Sequence, residues 1–596
     1  MRWAAPVIRA GGQADTPEDS SDSSEKKRAW QTPGPVLQGL IAFAVYLVVF
    51  VLAFGQALLS HPNVPKVGQV EVDPNFYIWA IRWWPYAITH GLNPLYSHQI
   101  GAPAGYNLAW ATTTPTLSLL MWPVTALFGP IPAFNLSLLL APPAAAWAMF
   151  VAARRLTGKF WPAFLAGPVF GFCLYELAHS VSGQPNLTVT LLLPLVVYLV
   201  LRWWDGTLTR NSYIIWMAVV LALEFYTFVE AFAELTILWV AALVIGFVIA
   251  GRAEWPKVAR LALHTAIAYV GAGVLAAPYL YYALRNYPKE LIRQLPQFSM
   301  DLAGLIYPKP NRLLGMEFLR ASAGHDLTST AYVGLPILLL LLALAIFTWK
   351  SKLVRLLAVS FVVVVALGFG PNLIIDGRQV AALPWSFIWR LPLLRSAEPV
   401  RFIDFGYMIL ALALALWLAK VTESKLVLAA RWALGVLALA AIFANLPTFA
   451  EVVVPPKPVH WTPALPTLKL SNDIPEFFTK DMYKQYVKPG ENVVIASHRG
   501  NAGMMIQAYT GYYFNIAGGF INASLSTEDA LPAQVRILSH PTKAREKAFR
   551  QWAAKAHIGA IIVERAWSEH WMYVFGPMGY KTTTVGGVTI FQIQGR

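Results

Sequence analysis

Long apolar runs recur along the whole chain, and they limit what it can fold into more than any other feature does. LIAFAVYLVVFVLAF from Leu40, VGLPILLLLLALAIF from Val333 and YMILALALALWLA from Tyr407 are clear cases. A helix needs about 17–25 apolar residues to cross roughly 30 Å of hydrocarbon. With 57% hydrophobic and only 13% charged residues, and a mean hydropathy of +0.51, so many runs exceed what one water-soluble domain can bury. The chain reads as a polytopic α-helical membrane protein of about eleven transmembrane helices. They are expected to start near residues 37, 132, 160, 187, 212, 231, 260, 331, 353, 403 and 426.

The net charge of +15 and a pI near 9.6 raise the question of nucleic acid. The basic residues, however, are spread between the apolar runs instead of forming one aromatic-interleaved patch, so no nucleic-acid partner is expected. RRLTGK (Arg154 to Lys159), RWWDGTLTR (Arg202 to Arg210), GRAEWPKVAR (Gly251 to Arg260), WKSKLVR (Trp349 to Arg355) and KVTESK (Lys420 to Lys425) fall at alternate connections. Together with the KKR at Lys26, they make a positive-inside pattern that predicts a cytoplasmic N-terminus in a multi-pass plasma (inner) membrane protein. The same rule treats TTTPTLSLLMWPVTALFG, Thr112 to Gly129, as a re-entrant or interfacial helix, because a crossing there would turn every later basic connection outward.

This topology leaves long outer loops at 61–131, 284–330 and 371–402, a short polar one at ELAHSVSGQPN (Glu176 to Asn186), and an outer C-terminus. From about residue 455 the composition turns soluble. ENVVIAS and IGAIIVE are expected as buried strands, KAREKAFRQWAAKAH as an amphipathic helix and GYKTTTVGGVTIFQI as a hairpin. The domains expected are a disordered cytoplasmic tail at 1–35, a membrane domain at 36–454 and a small extracytoplasmic α/β domain at 455–596. The first apolar run is too long and too far from the start to read as a cleavable signal peptide. Cys173 is the only cysteine, which removes intrachain disulfides and gives a Cys/His zinc site no support.

The stretch EVDPNFYIWAIRWWPYAITHGLNPLY, Glu71 to Tyr96, sets carboxylates and an arginine among Trp, Tyr and Pro. A lipid-facing span would not tolerate Glu71, Asp73 and Arg82 without partners, so the segment is expected at the membrane surface, holding acids over a site. Trp83, Trp84 and Trp110 are expected as interfacial anchors.

One span is followed by an outer loop opening with an acid (VDPNFYIWAIRWW), then GLNPLY and GAPAGYNLAW, and then spans ending in ARRLTG. After these come AHSVSGQPN, an outer LPLLRSAEPVRF and an outer soluble domain. In this order of parts, across most of residues 36–450, the chain resembles the GT-C superfamily of integral membrane glycosyltransferases, in particular YfhO-like and protein-mannosyltransferase-like bacterial members. The resemblance implies a sugar donor on a polyprenyl phosphate or diphosphate and an extracytoplasmic glycan, lipid or protein acceptor. It also implies an acid of the first outer loop acting at the acceptor, most often with inversion. Two departures are visible. The soluble region lacks a WWD-type motif, the WWD at Trp203 being on the predicted inner side, and the second outer turn holds only Glu176 and His179 instead of paired acids. No cofactor is assigned, and the question of a divalent metal stays open.

Such chemistry needs a base for the acceptor proton, and a carboxylate near a low-dielectric surface suits that role. Asp73 is the first candidate, with Glu71 as the fallback; the alternative for Asp73 is a helix N-cap, since Pro74 follows it. Cations must neutralise the leaving phosphate, and Arg390, Arg395 and Arg401 are candidates, the last two favoured by the resemblance. The alternative is an ion pair of one of them with Glu398. Tyr106 and Asn107 could stack on and hydrogen-bond a sugar, or simply pack their loop. His179, Gln184 and Asn186 could bind sugar hydroxyls or satisfy a tight turn. A metal or acid–base role for His325 and Asp326 has no second ligand pair to support it. A second functional class stays open: a secondary transporter or lipid flippase, with Glu224, Glu230 and Glu234 as a proton relay.

Overall fold

The computed structural model of the chain describes residues 34–60, 62–63, 66–67, 72–285, 299–306, 331–388, 398–443, 469–470, 474–496, 502–519, 535, 542–565 and 568–593. Residues 1–33 of the expected tail, Glu71, Arg390, Arg395, His325 and Asp326 lie outside them, and Pro35, the last residue of that expected tail, already opens the first helix.

Helices stand at all eleven expected positions. Seven are long and apolar enough to cross a membrane by themselves: Pro35–Ala53, Pro130–Thr157, Pro185–Trp204, Val229–Ile249, Trp255–Leu275, Pro399–Ala419 and Lys425–Phe443. An eighth is made if Phe160–Gly171 and Leu174–Val181, bent by 44°, are one broken span. The others are shorter or more polar: Arg210–Thr227 with 18 residues, Leu335–Thr348 with 14 and Lys352–Gly368 with 17. Residues 112–129 form two short helices, Pro115–Leu120 and Trp122–Phe128. At 1.5 Å per residue neither exceeds about 11 Å, far short of a crossing.

Two helices are central. Pro399–Ala419 is 83% buried and Pro130–Thr157 72%, against 11% for the peripheral Val229–Ile249. Small residues let the central helices approach: a Cβ on Gly171 would lie 2.3 Å from the backbone nitrogen of Ala146. Close backbone contact of this kind is how bundles gain dispersion energy in lipid, where burying apolar surface against a neighbour gains little over lipid itself.

The C-terminal region builds a five-stranded mixed sheet. Its order is Lys581–Val585, Val588–Gln592, Ile558–Glu564, Asn492–Ala496, Asn515–Ile516. The terminal hairpin is antiparallel, and the strand from Asn492 runs parallel to both of its neighbours. Ile558–Glu564 is buried along its whole length, as expected of a central strand lined by Ile, Val and Ala. Lys543–Lys555 is the expected amphipathic helix, capped by the Thr542 side chain.

The long segment after the first span is built into this sheet. Its long helix, Val72–Thr89, lies against Ala502–Tyr509. Beyond it, residues 99–102 run beside the sheet edge, with Gly101 N–H donating to Gly518 C=O, Ala102 N–H to Ile516 C=O and Ile516 N–H to Gln99 C=O. One hydrophobic core contains Trp79, Trp83 and Ile100 from the loop together with Phe477, Phe514 and Ile590 from the C-terminal region. The loop tryptophans therefore differ from expectation. Trp83 and Trp84 are buried, and their indole N–H groups donate to Pro94 C=O and Thr113 Oγ1, while Trp110 donates to Ala283 C=O. A protein surface covers the rings that were expected to meet lipid headgroups, and the buried indole nitrogens find protein acceptors, as burial requires.

Candidate active site

Val72 is already helical, so Asp73 sits inside the first turn of its helix and not at the cap position offered as its alternative role. An acid there still complements the positive end of the helix dipole. The side chain is half-buried. Its Oδ2 accepts a 2.8 Å hydrogen bond from Gln184 Nε2, across 111 residues of sequence. Gln184 Oε1 in turn lies 2.7 Å from His179 Nδ1. The direction of this chain follows from the donor inventory. A carboxylate only accepts, so the Gln184 amide turns its NH2 to Asp73 and its oxygen to His179, and His179 must carry its proton on Nδ1. The Nε2 of His179 is buried and has no hydrogen-bond partner, and its ring is edge-on to Tyr175 at 4.4 Å. The turn from Glu176 to Asn186 thus meets the first-loop acid: Gln184 contacts Asp73 directly, and His179 contacts Gln184.

Arg401 lies in the short 3-10 turn Pro399–Phe402 that opens the most buried helix. Its guanidinium is bound on both arms: Nη1 contacts Glu230, and Nη2 lies 2.9 Å from Glu398 Oε2. The backbone N–H of Glu398 also donates to Glu230 Oε1 at 2.6 Å, and the Phe228 ring covers the guanidinium at 5.2 Å. Arg401 is 5% exposed; its two terminal nitrogens meet carboxylates, while its buried Nε has no hydrogen-bond partner. The ion pair that the sequence offered as an alternative is present, and Glu230 joins it. Arg401 interacts electrostatically with His179, Tyr175 and Tyr77, the last on the Asp73 helix. The arginine knot and the Asp73 chain therefore occupy one continuous region.

Behind this region lie four buried acids from four helices: Glu176, Glu224, Glu234 and Asp404. Asp404 interacts electrostatically with each of the other three. Each has one carboxyl oxygen without a hydrogen-bond partner; the other oxygen of Glu176 accepts from the Thr190 hydroxyl. Among the described residues no group of three His, Cys, Asp or Glu side chains could hold a metal ion. Asp404 was legible in advance as a lone acid in the apolar run IDFGYMILALALALWLA; intramembrane acids are functional candidates by default.

Tyr106 and Asn107 both make packing contacts within and beyond their loop. Asn107 caps the turn Leu108–Trp110 by accepting from Ala109 N–H, and its amide donates to Tyr282 C=O at 3.0 Å. Tyr106 pairs with Ser97 across a two-residue ladder. Its ring lies over Gly101, where a Cβ would come within 2.6 Å. Burial raises the Tyr106 phenol above its ordinary value.

Residues 43–444 match the family model described as a domain of unknown function, DUF6311. The chain belongs to that family. No curated protein matches it. Among solved structures, the arabinofuranosyltransferase AftD from Mycobacteria superposes with a TM-score of 0.53 at 14% identity, covering 95% of this chain and 40% of that one. The Archaeoglobus fulgidus oligosaccharyltransferase in complex with zinc and sulfate superposes at 0.50 with 12% identity, covering 93% and 72%. This chain spans less than half of the mycobacterial enzyme. At such identities the likeness is one of fold: this DUF6311 chain shares the GT-C-like fold of these structures.

Proposed function

We propose that the protein is a membrane glycosyltransferase that moves a sugar from a polyprenyl-phosphate-linked donor to an acceptor outside the cytoplasmic membrane, with inversion. The observation that carries the reading is the Asp73 carboxylate at the head of the first-loop helix, aligned from a different outer turn by Gln184 at 2.8 Å. The GT-C fold, shared with enzymes whose printed names are glycosyltransferases, supports it.

In this reading an acceptor O–H approaches Asp73. Its proton passes to the carboxylate as the acceptor oxygen bonds to the anomeric carbon, and the bond from that carbon to the phosphate oxygen breaks with its electron pair going to the phosphate. Direct displacement of this kind inverts the centre. Gln184 and His179 keep the carboxylate oriented and restrict its freedom. With Arg401 engaged by Glu230 and Glu398, we assign the leaving phosphate to Arg390 and Arg395. The acceptor is a glycan, lipid or protein facing the outer leaflet, and the C-terminal sheet lies on that side.

The test is mass spectrometry of carrier lipids and envelope glycans from cells with and without the gene, followed by transfer with purified protein. Accumulation of one polyprenyl-phosphate sugar, consumed by the protein in vitro, is the expected result. Unchanged lipids and no transfer overturn the proposal. The four buried acids favour a second reading, a proton-coupled transporter or flippase. In that case Asp404→Asn or Glu224→Gln stops movement of a lipid across vesicles while Asp73→Asn does not.

A further inference from the structure

Gln507 is wholly buried, yet no hydrogen-bonding atom of its amide is wasted. Its Oε1 accepts from Trp79 Nε1 at 2.8 Å, across 428 residues of sequence. Its Nε2 donates to Gln99 C=O at 2.6 Å and to Phe514 C=O at 2.8 Å. One C-terminal side chain thus ties the Asp73 helix, the loop strand after it and its own sheet together. Three further contacts act in the same place. The Tyr512 hydroxyl donates to the backbone C=O of Trp79 at 2.9 Å. Tyr512 also packs edge-on to Trp79 and Trp83, with centroids 5.9 and 5.7 Å away. Arg82 Nη1 donates to Ala508 C=O at 2.7 Å, placing a cation on the carbonyl end of Ala502–Tyr509. Gly511, at φ +72°, ends that helix with no Cβ, and a Cβ there would meet Arg82 Nη2 at 3.3 Å.

Trp79 is six residues beyond Asp73, about 9 Å along one helix. That helix carries Pro85 in its interior, so its placement depends on outside contacts more than an uninterrupted helix would. We propose that the C-terminal sheet is a clamp on the catalytic helix, with Gln507 and Trp79 as positioning residues that set the orientation of Asp73. The inference rests on the assignment of Asp73 above. It gives the soluble region a defined part in the reaction: the region holds the base in place whether or not it also meets the acceptor.

The experiment uses full-length protein in lipid nanodiscs, with hydrogen exchange followed by mass spectrometry and with steady-state transfer. Gln507→Leu strands three polar partners and is expected to speed exchange of the amides in Val72–Thr89 by about tenfold or more, leaving Pro130–Thr157 unchanged. Trp79→Phe removes one donor from a ring of similar shape and is expected to act in the same direction by about fivefold. It keeps the test open if the leucine variant does not fold. In both, kcat falls while the donor KM stays within about twofold, as misplacement of a base requires. Lys480→Ala, on an exposed surface of the same region, changes neither measurement. Unchanged exchange in 72–89 overturns the clamp, and so does a fall in kcat without faster exchange. If the wild-type protein transfers no sugar, the proposed function falls, and the exchange data still decide whether the sheet holds the helix.

Discussion

Asp73→Asn separates chemistry from structure at the centre of the site. Asparagine keeps a carbonyl oxygen where Oδ2 accepts from Gln184 at 2.8 Å, so the turn from Glu176 to Asn186 retains its partner. Two contributions are lost. Reducing a charge-assisted hydrogen bond to a neutral one costs about 1 kcal/mol. Removing an acid from the first helical turn costs about 0.3–1 kcal/mol. A fold weakened by roughly 1–2 kcal/mol should remain largely assembled, against typical stabilities of about 5–15 kcal/mol. The lost basicity is the larger effect. Removal of a general base lowers rates by about 10²–10⁴-fold, or about 2.7–5.4 kcal/mol of barrier. Purified variant in nanodiscs, given labelled donor lipid, should therefore bind donor nearly as the wild type does and turn over at least about a hundredfold more slowly. Asp73→Ala should match that rate and melt lower, because it also strands the Gln184 amide. Near-normal turnover by the asparagine variant refutes the base assignment, and Glu71 then becomes the residue to replace.

Other outcomes follow from the same geometry. Arg401→Ala removes the cation that Glu230 and Glu398 both meet in a buried site, and breaking a buried pair typically costs about 3–5 kcal/mol, so thermal unfolding should shift down strongly and Glu398→Ala should also lower it. A stable Arg401→Ala protein with donor binding abolished would instead put the phosphate on Arg401. Gln184→Leu should lower kcat by about tenfold or more without moving donor KM, because it removes the amide that orients the Asp73 carboxylate; a change confined to KM would return Gln184 to sugar binding. For topology, a cysteine at Lys480 should react with a membrane-impermeant reagent in intact cells or spheroplasts, and one at Ser351 should not; the reverse pattern overturns the orientation.

The sequence by itself determined the architecture. Apolar runs of span length, alternating with basic connections, placed eleven helices and kept 112–129 out of the count. A change of composition near residue 455 announced a sheet whose strands and hairpin lie where alternation and turn residues put them. These signals are local: hydrophobic period, helix length and charge between runs are properties of neighbouring residues, and the bilayer requires them of any chain that crosses it. The candidate acid was legible for the same reason, since a carboxylate among aromatic residues beside a span is conspicuous in one dimension. Its partners were not legible. Gln184 comes 111 residues later, and nothing in AHSVSGQPN distinguishes a sugar-binding amide from one that aligns a base. Arg401 carries the same residue type for a phosphate site as for an ion pair, and only the packing of Val229–Ile249 beside its turn brought Glu230 to it. Trp83 and Trp110 read as membrane anchors because what they meet is remote in sequence: Tyr512 packs against Trp83, and Trp110 donates to Ala283, 173 residues on. Which polar atoms meet is set by the tertiary fold, because a buried donor must find an acceptor wherever the chain supplies one, at any distance in sequence.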